Sequence, residues 1–268
     1  MKKINSSAKK TLRLSPKFAR STAKKTLRLH PASPTPKKTA RSNRVPYSRR
    51  KVDKTVKLGT FIYLDNYGQG EAIRMMLWLS KRNYTNIVVD NEQLKMMREK
   101  GQLPTGQVPV WVTLDKKVMP HKDSIMRYVG KLTGYYSSNP NEAYDADWAL
   151  DTLNEICTER FFESWISDKP PSKGQIQERV QDIIKLHSQL ETKLSDDRKW
   201  IAGRKISIGD FALAALYHSV VLNDHVKHDI LKSEMFGTMV DYPKTKAWLR
   251  KISTELREYL NERPPSSI

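Results

Sequence analysis

The chain of 268 residues has a single cysteine, Cys157, which excludes an internal disulfide and a zinc site built on cysteines. Such sparing cysteine use fits a reducing compartment. No apolar run approaches the roughly 18 residues of a membrane span, so no transmembrane segment and no membrane partner is expected. Gly68-Gln69-Gly70 lacks the rest of a dinucleotide fingerprint, and no other Gly-rich phosphate loop is present. His218, His225 and His228 make no coherent ligand set, so no metal is expected. Acidic residues are missing from one region altogether. Residues 1–51 hold 17 Lys/Arg and no Asp or Glu, whereas the remainder carries 31 basic against 29 acidic side chains. The formal net charge of +19 therefore sits almost entirely on an N-terminal arm attached to a near-neutral body.

The arm also lacks aromatics. Residues 1–56 contain only Phe18 and Tyr47, with few aliphatic side chains. Such a segment cannot bury enough apolar area to offset its ordering entropy, and Pro16, Pro31, Pro34, Pro36 and Pro46 break any long helix. Disorder is expected over residues 1–56. Within it a heptapeptide repeats: Ala8-Lys9-Lys10-Thr11-Leu12-Arg13-Leu14 recurs as Ala23-Lys24-Lys25-Thr26-Leu27-Arg28-Leu29, with a degenerate echo at Pro36–Arg41. Fully extended, the 15-residue offset reaches about 50 Å. The repeat predicts docking on a repeating acidic polymer through Lys9, Lys10, Arg13, Lys24, Lys25 and Arg28. Tubulin in a microtubule is favoured. Its acidic surface needs only charges and a few apolar pegs, for which Leu12, Leu14, Leu27 and Leu29 serve. Nucleic acid, as an RNA- or ribosome-associated role, comes second, because stacking side chains are nearly absent from the arm. A mitochondrial targeting segment is disfavoured by the prolines and the high lysine content. The expected location is cytoplasmic, extending to the cytoskeleton or a cilium.

From Val56 the pattern changes. Lys57–Tyr63 reads as a strand, and Gly68-Gln69-Gly70 opens an apolar-periodic helix from Glu71. Asn86–Val89 and Val108–Val112 are further strands. Lys117-Val118-Met119 completes a hairpin, and a helix starts at Ser124. This α/β unit, residues 57–136, ends before a Ser/Asn/Pro linker. Residues 137–268 read as all-helical. One helix is expected from Asp145 to about Ser164, another from Gln175 to about Leu194. Ser207 to Asp210 has the form of a capping box, with Asp in place of Glu. Tyr242-Pro243 precedes a last helix reaching about Leu260. Cys157 among Ile156, Phe161 and Phe162 reads as a buried structural thiol, and His187 as a core residue on an apolar face.

The order of these motifs resembles the cytosolic glutathione transferase family, sigma/mu/pi-like, over roughly residues 57–265. Tyr63 followed by Gly68-Gln69-Gly70-Glu71-Ala72-Ile73-Arg74 resembles the family's strand-1 tyrosine and the start of its first helix. Lys100-Gly101-Gln102-Leu103-Pro104-Thr105-Gly106-Gln107-Val108-Pro109 resembles its K-x-x-L-P-x-G-x-x-P loop. Trp200–Gly203 with Ser207–Asp210 resembles its late capping motif, and Tyr242-Pro243 with Tyr259-Leu260 and Arg263-Pro264 its C-terminal end. The resemblance implies a thioredoxin-like domain followed by a helical domain, with glutathione as substrate.

It also implies roles. Only a thiolate is a good nucleophile, and a free thiol has a pKa of about 8.5. Tyr63 would donate its phenol proton to the sulfur and stabilise the anion. Val108 would add the tripeptide as a short strand, Pro109 would be cis, and Gln107 would flank them. Lys100 would pair with the glycine carboxylate. Asp151 would reach the γ-glutamyl ammonium in a partner subunit, which implies a homodimer or a heterodimer with a transferase-like chain. The family's Gln-Ser pair falls here on His121-Lys122, with Ser124 two residues late and Asp123 available as a helix cap. The family's arginine before the first helix is Gln69. Two readings follow. One is a glutathione-conjugating enzyme. The other is a non-catalytic adaptor of a microtubule-based assembly that uses the transferase fold as a rigid block.

Overall fold

A computed structural model describes residues 56–195 and 198–268. The arm residues Lys9, Lys10, Arg13, Lys24, Lys25 and Arg28 lie outside the described residues. The body begins with β1 (Thr60–Leu64), α1 (Glu71–Ser80) and β2 (Thr85–Val89). Then come α2 (Asn91–Glu99), β3 (Val110–Val112), β4 (Val118–Pro120) and α3 (Lys122–Thr133). The four strands form one sheet in the order β2-β1-β3-β4. β1 pairs parallel with β2 and antiparallel with β3, which pairs antiparallel with β4. The parallel pair requires a crossover, and α1 supplies it.

Helix α2 is absent from the expectations above. Its start is nonetheless written in the chain: Asp90 accepts the Gln93 N–H, while the Gln93 side chain accepts the Asp90 N–H. That reciprocal pair satisfies two of the donors a helix N-terminus leaves open. The helix has only Leu94 as a buried anchor, so the apolar period is too sparse to announce it.

The remaining chain is helical: α4 (Pro140–Ile156), α5 (Glu159–Ile166), α6 (Lys173–Lys193), α7 (Ile208–Leu216), α8 (Asp229–Gly237), α9 (Pro243–Glu255) and α10 (Arg257–Glu262). The single helix expected over 145–164 is broken. Its first half ends at Ile156, and Thr158 adopts an extended φ/ψ of −70°/170° ahead of α5. Cys157 and Thr158 are both weak helix formers, and their position lets Phe161 and Trp165 turn fully into the core. The last helix is likewise divided, at Leu256.

The capping box at α7 holds more than its own helix. The Asp210 carboxylate accepts the backbone N–H and the hydroxyl of Ser207, both at 2.8 Å. It also accepts the Ile201 N–H at 3.0 Å and the Trp248 Nε1–H at 2.8 Å. One buried carboxylate thus ties α7, the turn before it and α9 together. The main core runs without interruption from Phe61 and Trp111 in the sheet, through α1 and α7, to Tyr259 in α10. His187 is fully buried in it, stacked on Tyr217 with ring centroids 5.8 Å apart. Among the described residues no helix is long and apolar enough to cross a membrane.

Candidate active site

β1 ends by delivering Tyr63 against the turn that starts α1. Its hydroxyl accepts the Gln69 backbone N–H at 2.8 Å. Two glycines make that approach possible. A Cβ on Gly70 would stand 2.2 Å from Tyr63 Cδ1, and one on Gly68 would stand 2.6 Å from the hydroxyl oxygen. Gly68 also holds φ at +33°, in the region that favours glycine. Arg74 locks the same loop by donating to the carbonyls of Leu64 and Asn66, with its guanidinium 5.3 Å from the centre of the Tyr63 ring. The sequence motif includes these glycines and Arg74, but their function in seating Tyr63 emerges only from the contacts.

Tyr63 is 5% exposed. Burial pushes its phenol above the ordinary value, against the lowering influence of the Gln69 and Gly70 N–H groups and the Arg74 charge. At neutral pH it is therefore a phenol. Since its oxygen already accepts from Gln69, its own proton remains available for donation.

Gln69 roofs this hydroxyl and lines a cleft with two halves. The polar half, about 380 Å³, is lined by Gln107, Val108, Pro109, His121, Lys122 and Ser124 among others. The apolar half, about 90 Å³, is lined by Ala72, Leu153, Cys157, Phe162, Leu216 and Val220 among others. Gln69, Lys122 and Asn154 belong to both halves. The Val108–Pro109 peptide bond is cis. Among the described residues, neither the N–H nor the C=O of Val108 has a backbone partner, so both remain open to an added strand.

The start of α3 is organised differently from the expectation. His121 is the residue before the helix and holds φ at +72°, a region disfavoured for residues with a side chain. Asp123 does not cap the helix; it lies in the first turn. Lys122 Nζ sits 2.9 Å from Asp123 Oδ1 and 3.3 Å from Asn154 Oδ1, while Asn154 Nδ2 donates to Asp123 Oδ2 at 2.6 Å. The Lys122 charge is thus already paired, and the cluster stitches α3 to α4.

Three expected residues are not among the lining residues: Tyr63, which meets the cleft through its bond to Gln69, Lys100 and Asp151. Lys100 is exposed at the end of α2 and is not among the lining residues, because α2 directs its only anchor, Leu94, into the small core on the far side of the sheet. Asp151 is 72% exposed on α4, with Arg127 4.0 Å away, and does not line the cleft of its own subunit. Cys157 does line the apolar half, and burial pushes its thiol up to about 12, so it is not a nucleophile at neutral pH. His218 is bonded to Ser253 at 2.9 Å, and His228 to the Ser167 carbonyl at 2.9 Å. Among the described residues no group of three His, Cys, Asp or Glu is placed to hold a metal ion.

Residues 154–255 match the family model of the glutathione S-transferase C-terminal domain. Glutathione S-transferase 2 of Caenorhabditis elegans is 28% identical over 123 residues, which is 45% of this chain and 63% of that relative. S-crystallin SL11 of Nototodarus sloanii is 22% identical over 198 residues, 72% of this chain and 95% of that one. Among solved structures, the glutathione S-transferase of Ascaris lumbricoides aligns with a TM-score of 0.66 at 18% identity, covering 79% of this chain and all of that one. A monomeric glutathione S-transferase of the hookworm Necator americanus aligns with a TM-score of 0.67 at 19% identity, covering 78% of this chain and 98% of that one. With a thioredoxin-like sheet and a helical domain assembled in this order, the chain has the fold of the cytosolic glutathione transferases, and its residues 154–255 carry the match to their C-terminal domain.

Proposed function

We propose that the body binds glutathione in the polar half of the cleft and activates its thiol through Tyr63, for conjugation to electrophiles. The observation that carries this reading is the convergence on Gln69. Its N–H fixes the Tyr63 hydroxyl, and its side of the loop borders both halves of the cleft. The unpaired N–H and C=O of Val108 hold the tripeptide backbone, and the N-terminal N–H groups of α3 face its γ-glutamyl carboxylate. The neutral Tyr63 phenol donates to the sulfur and stabilises the thiolate. With 1-chloro-2,4-dinitrobenzene the sulfur forms a bond to the ring carbon, chloride leaves, and the thiol proton passes to solvent. Turnover by the full chain, reduced about 100-fold or more in Tyr63→Phe, supports the proposal; no turnover and no retention on immobilised glutathione overturns it. Asp151, exposed in its own subunit, would serve a partner's site and so requires a dimer.

The adaptor reading rests on other observations. The apolar half of the cleft is only about 90 Å³, and Lys122 is already neutralised by Asp123. The excess charge is segregated in residues 1–51, which recommends tethering to an acidic polymer, with microtubules ahead of nucleic acid. Co-sedimentation with microtubules that disappears when residues 1–51 are removed supports it. A salt-dependent shift of RNA, without microtubule binding, gives the arm to nucleic acid instead.

A further inference from the structure

The largest cavity described shares no lining residue with this cleft and lies between the α8 segment and α9. It measures about 730 Å³ and is open to solvent. Its floor is Leu222, Met239 and Leu249. Its rim carries Phe236 at 51% and Val240 at 74% exposure. Large apolar side chains gathered at the mouth of a groove are uncommon on a surface with nothing to cover.

The other wall is α9. Thr245, Trp248, Leu249 and Ile252 point into the protein, while Lys246, Arg250 and Thr254 form an exposed stripe along the groove. Lys246 and Arg250 are four residues apart, about 6 Å along the helix axis. Among the described residues neither forms an ion pair, although most basic side chains around the cleft and in the core do. No carboxylate lines the groove. An apolar floor flanked by two cations one helical turn apart is complementary to a helix with an apolar stripe and carboxylates beside it. A volume of this order suits side-chain anchors of such a helix. The chain's own arm is unsuitable, because residues 1–51 carry no acid to meet Lys246 and Arg250.

We propose that the α8–α9 groove docks an acidic amphipathic helix of a partner protein. Apolar side chains of that helix would enter between Phe236, Val240 and Leu249, and its carboxylates would face Lys246 and Arg250. The proposal does not depend on glutathione chemistry, and it adds a second attachment point to a body that already carries a cationic arm.

The test uses the full chain and a fluorescently labelled Ala-based helical peptide. The peptide has Leu at i, i+3, i+4 and i+7 and Glu on the flanks. A peptide of the same composition in shuffled order reports attraction to the arm alone. The ordered peptide is expected to bind at least 10-fold more tightly than the shuffled one. Val240→Asp, or Lys246→Glu with Arg250→Glu, should abolish that preference. The double variant should instead prefer the ordered peptide with Lys in place of Glu. All substitutions are at exposed positions, and an unchanged melting temperature checks the fold. Equal binding of ordered and shuffled peptides, or an undiminished preference in the variants, overturns the proposal. So does self-association of the chain that Val240→Asp disperses, since the groove would then hold a second copy.

Discussion

The Tyr63 hydroxyl accepts the backbone N–H of Gln69 at 2.8 Å, and Gln69 in turn lines both halves of the cleft. The bond depends on the backbone alone, so the glutamine that stands where the family carries arginine does not disturb it. Tyr63→Phe leaves the Gln69 N–H without its acceptor. The expected cost is about 1 kcal/mol of stability, measured by urea denaturation, apart from any loss of turnover.

Gly70→Ala should unseat the same tyrosine. The new Cβ would lie 2.2 Å from the Tyr63 ring, and the ring is pinned between Phe61, 6.2 Å away, and Arg74. Overpacking of this kind costs about 1–3 kcal/mol. Thiol activation should fall with it while binding to the helical-domain groove is unchanged, a separation that parallel peptide and turnover assays measure.

Glu71 and Arg263 form a buried pair at 2.6 Å, 192 residues apart in sequence. Arg263 also donates to the His218 carbonyl at 2.7 Å and lies 3.8 Å over the Tyr67 ring. The pair clamps the C-terminal segment onto α1. Arg263→Met removes the nearer of the two cations at the buried Glu71 and leaves it Arg74, 3.9 Å away, so a loss at the lower end of about 3–5 kcal/mol is expected. A thermal melt of the full chain checks this; the double variant Glu71→Gln, Arg263→Met should recover part of the loss.

Acid should destabilise the helical domain through two histidines. Burial depresses His187 to about 4, and burial with the Arg263 charge depresses His218 to about 4. Both are neutral in the fold and take up a proton on unfolding once the pH falls below about 6.5. The unfolded chain then binds more protons, so stability drops as pH goes from about 6.5 towards 4. The slope approaches 1.4 kcal/mol per pH unit for each histidine. Urea denaturation at several pH values, compared with His187→Phe, isolates one of the two contributions.

Most of the architecture could be read from the chain because strands, helix starts and the linker carry local signals. The turn at Gly68-Gln69-Gly70, the Val108-Pro109 loop and the Ser207–Asp210 box each occupy a few consecutive residues. What escaped was set by tertiary packing. Helix α2 is held by its capping box and one buried leucine, too little for a periodic pattern. The break between α4 and α5 serves Phe161 and Trp165, whose burial depends on distant helices. At the site, Lys100 fits a motif yet sits at the exposed end of α2. The Lys122–Asp123–Asn154 cluster needs α4 to complete it, so no spacing within the α3 segment could announce it.

The most direct test of the central claim is the ultraviolet titration of the thiol of glutathione bound to the full chain, compared with the same titration of Tyr63→Phe. The account predicts a bound-thiol pKa clearly below the ordinary value of about 8.5 in the natural chain, returning towards that value in the variant. Glutathione that binds with the same thiol pKa in both proteins, or that does not bind at all, would contradict it.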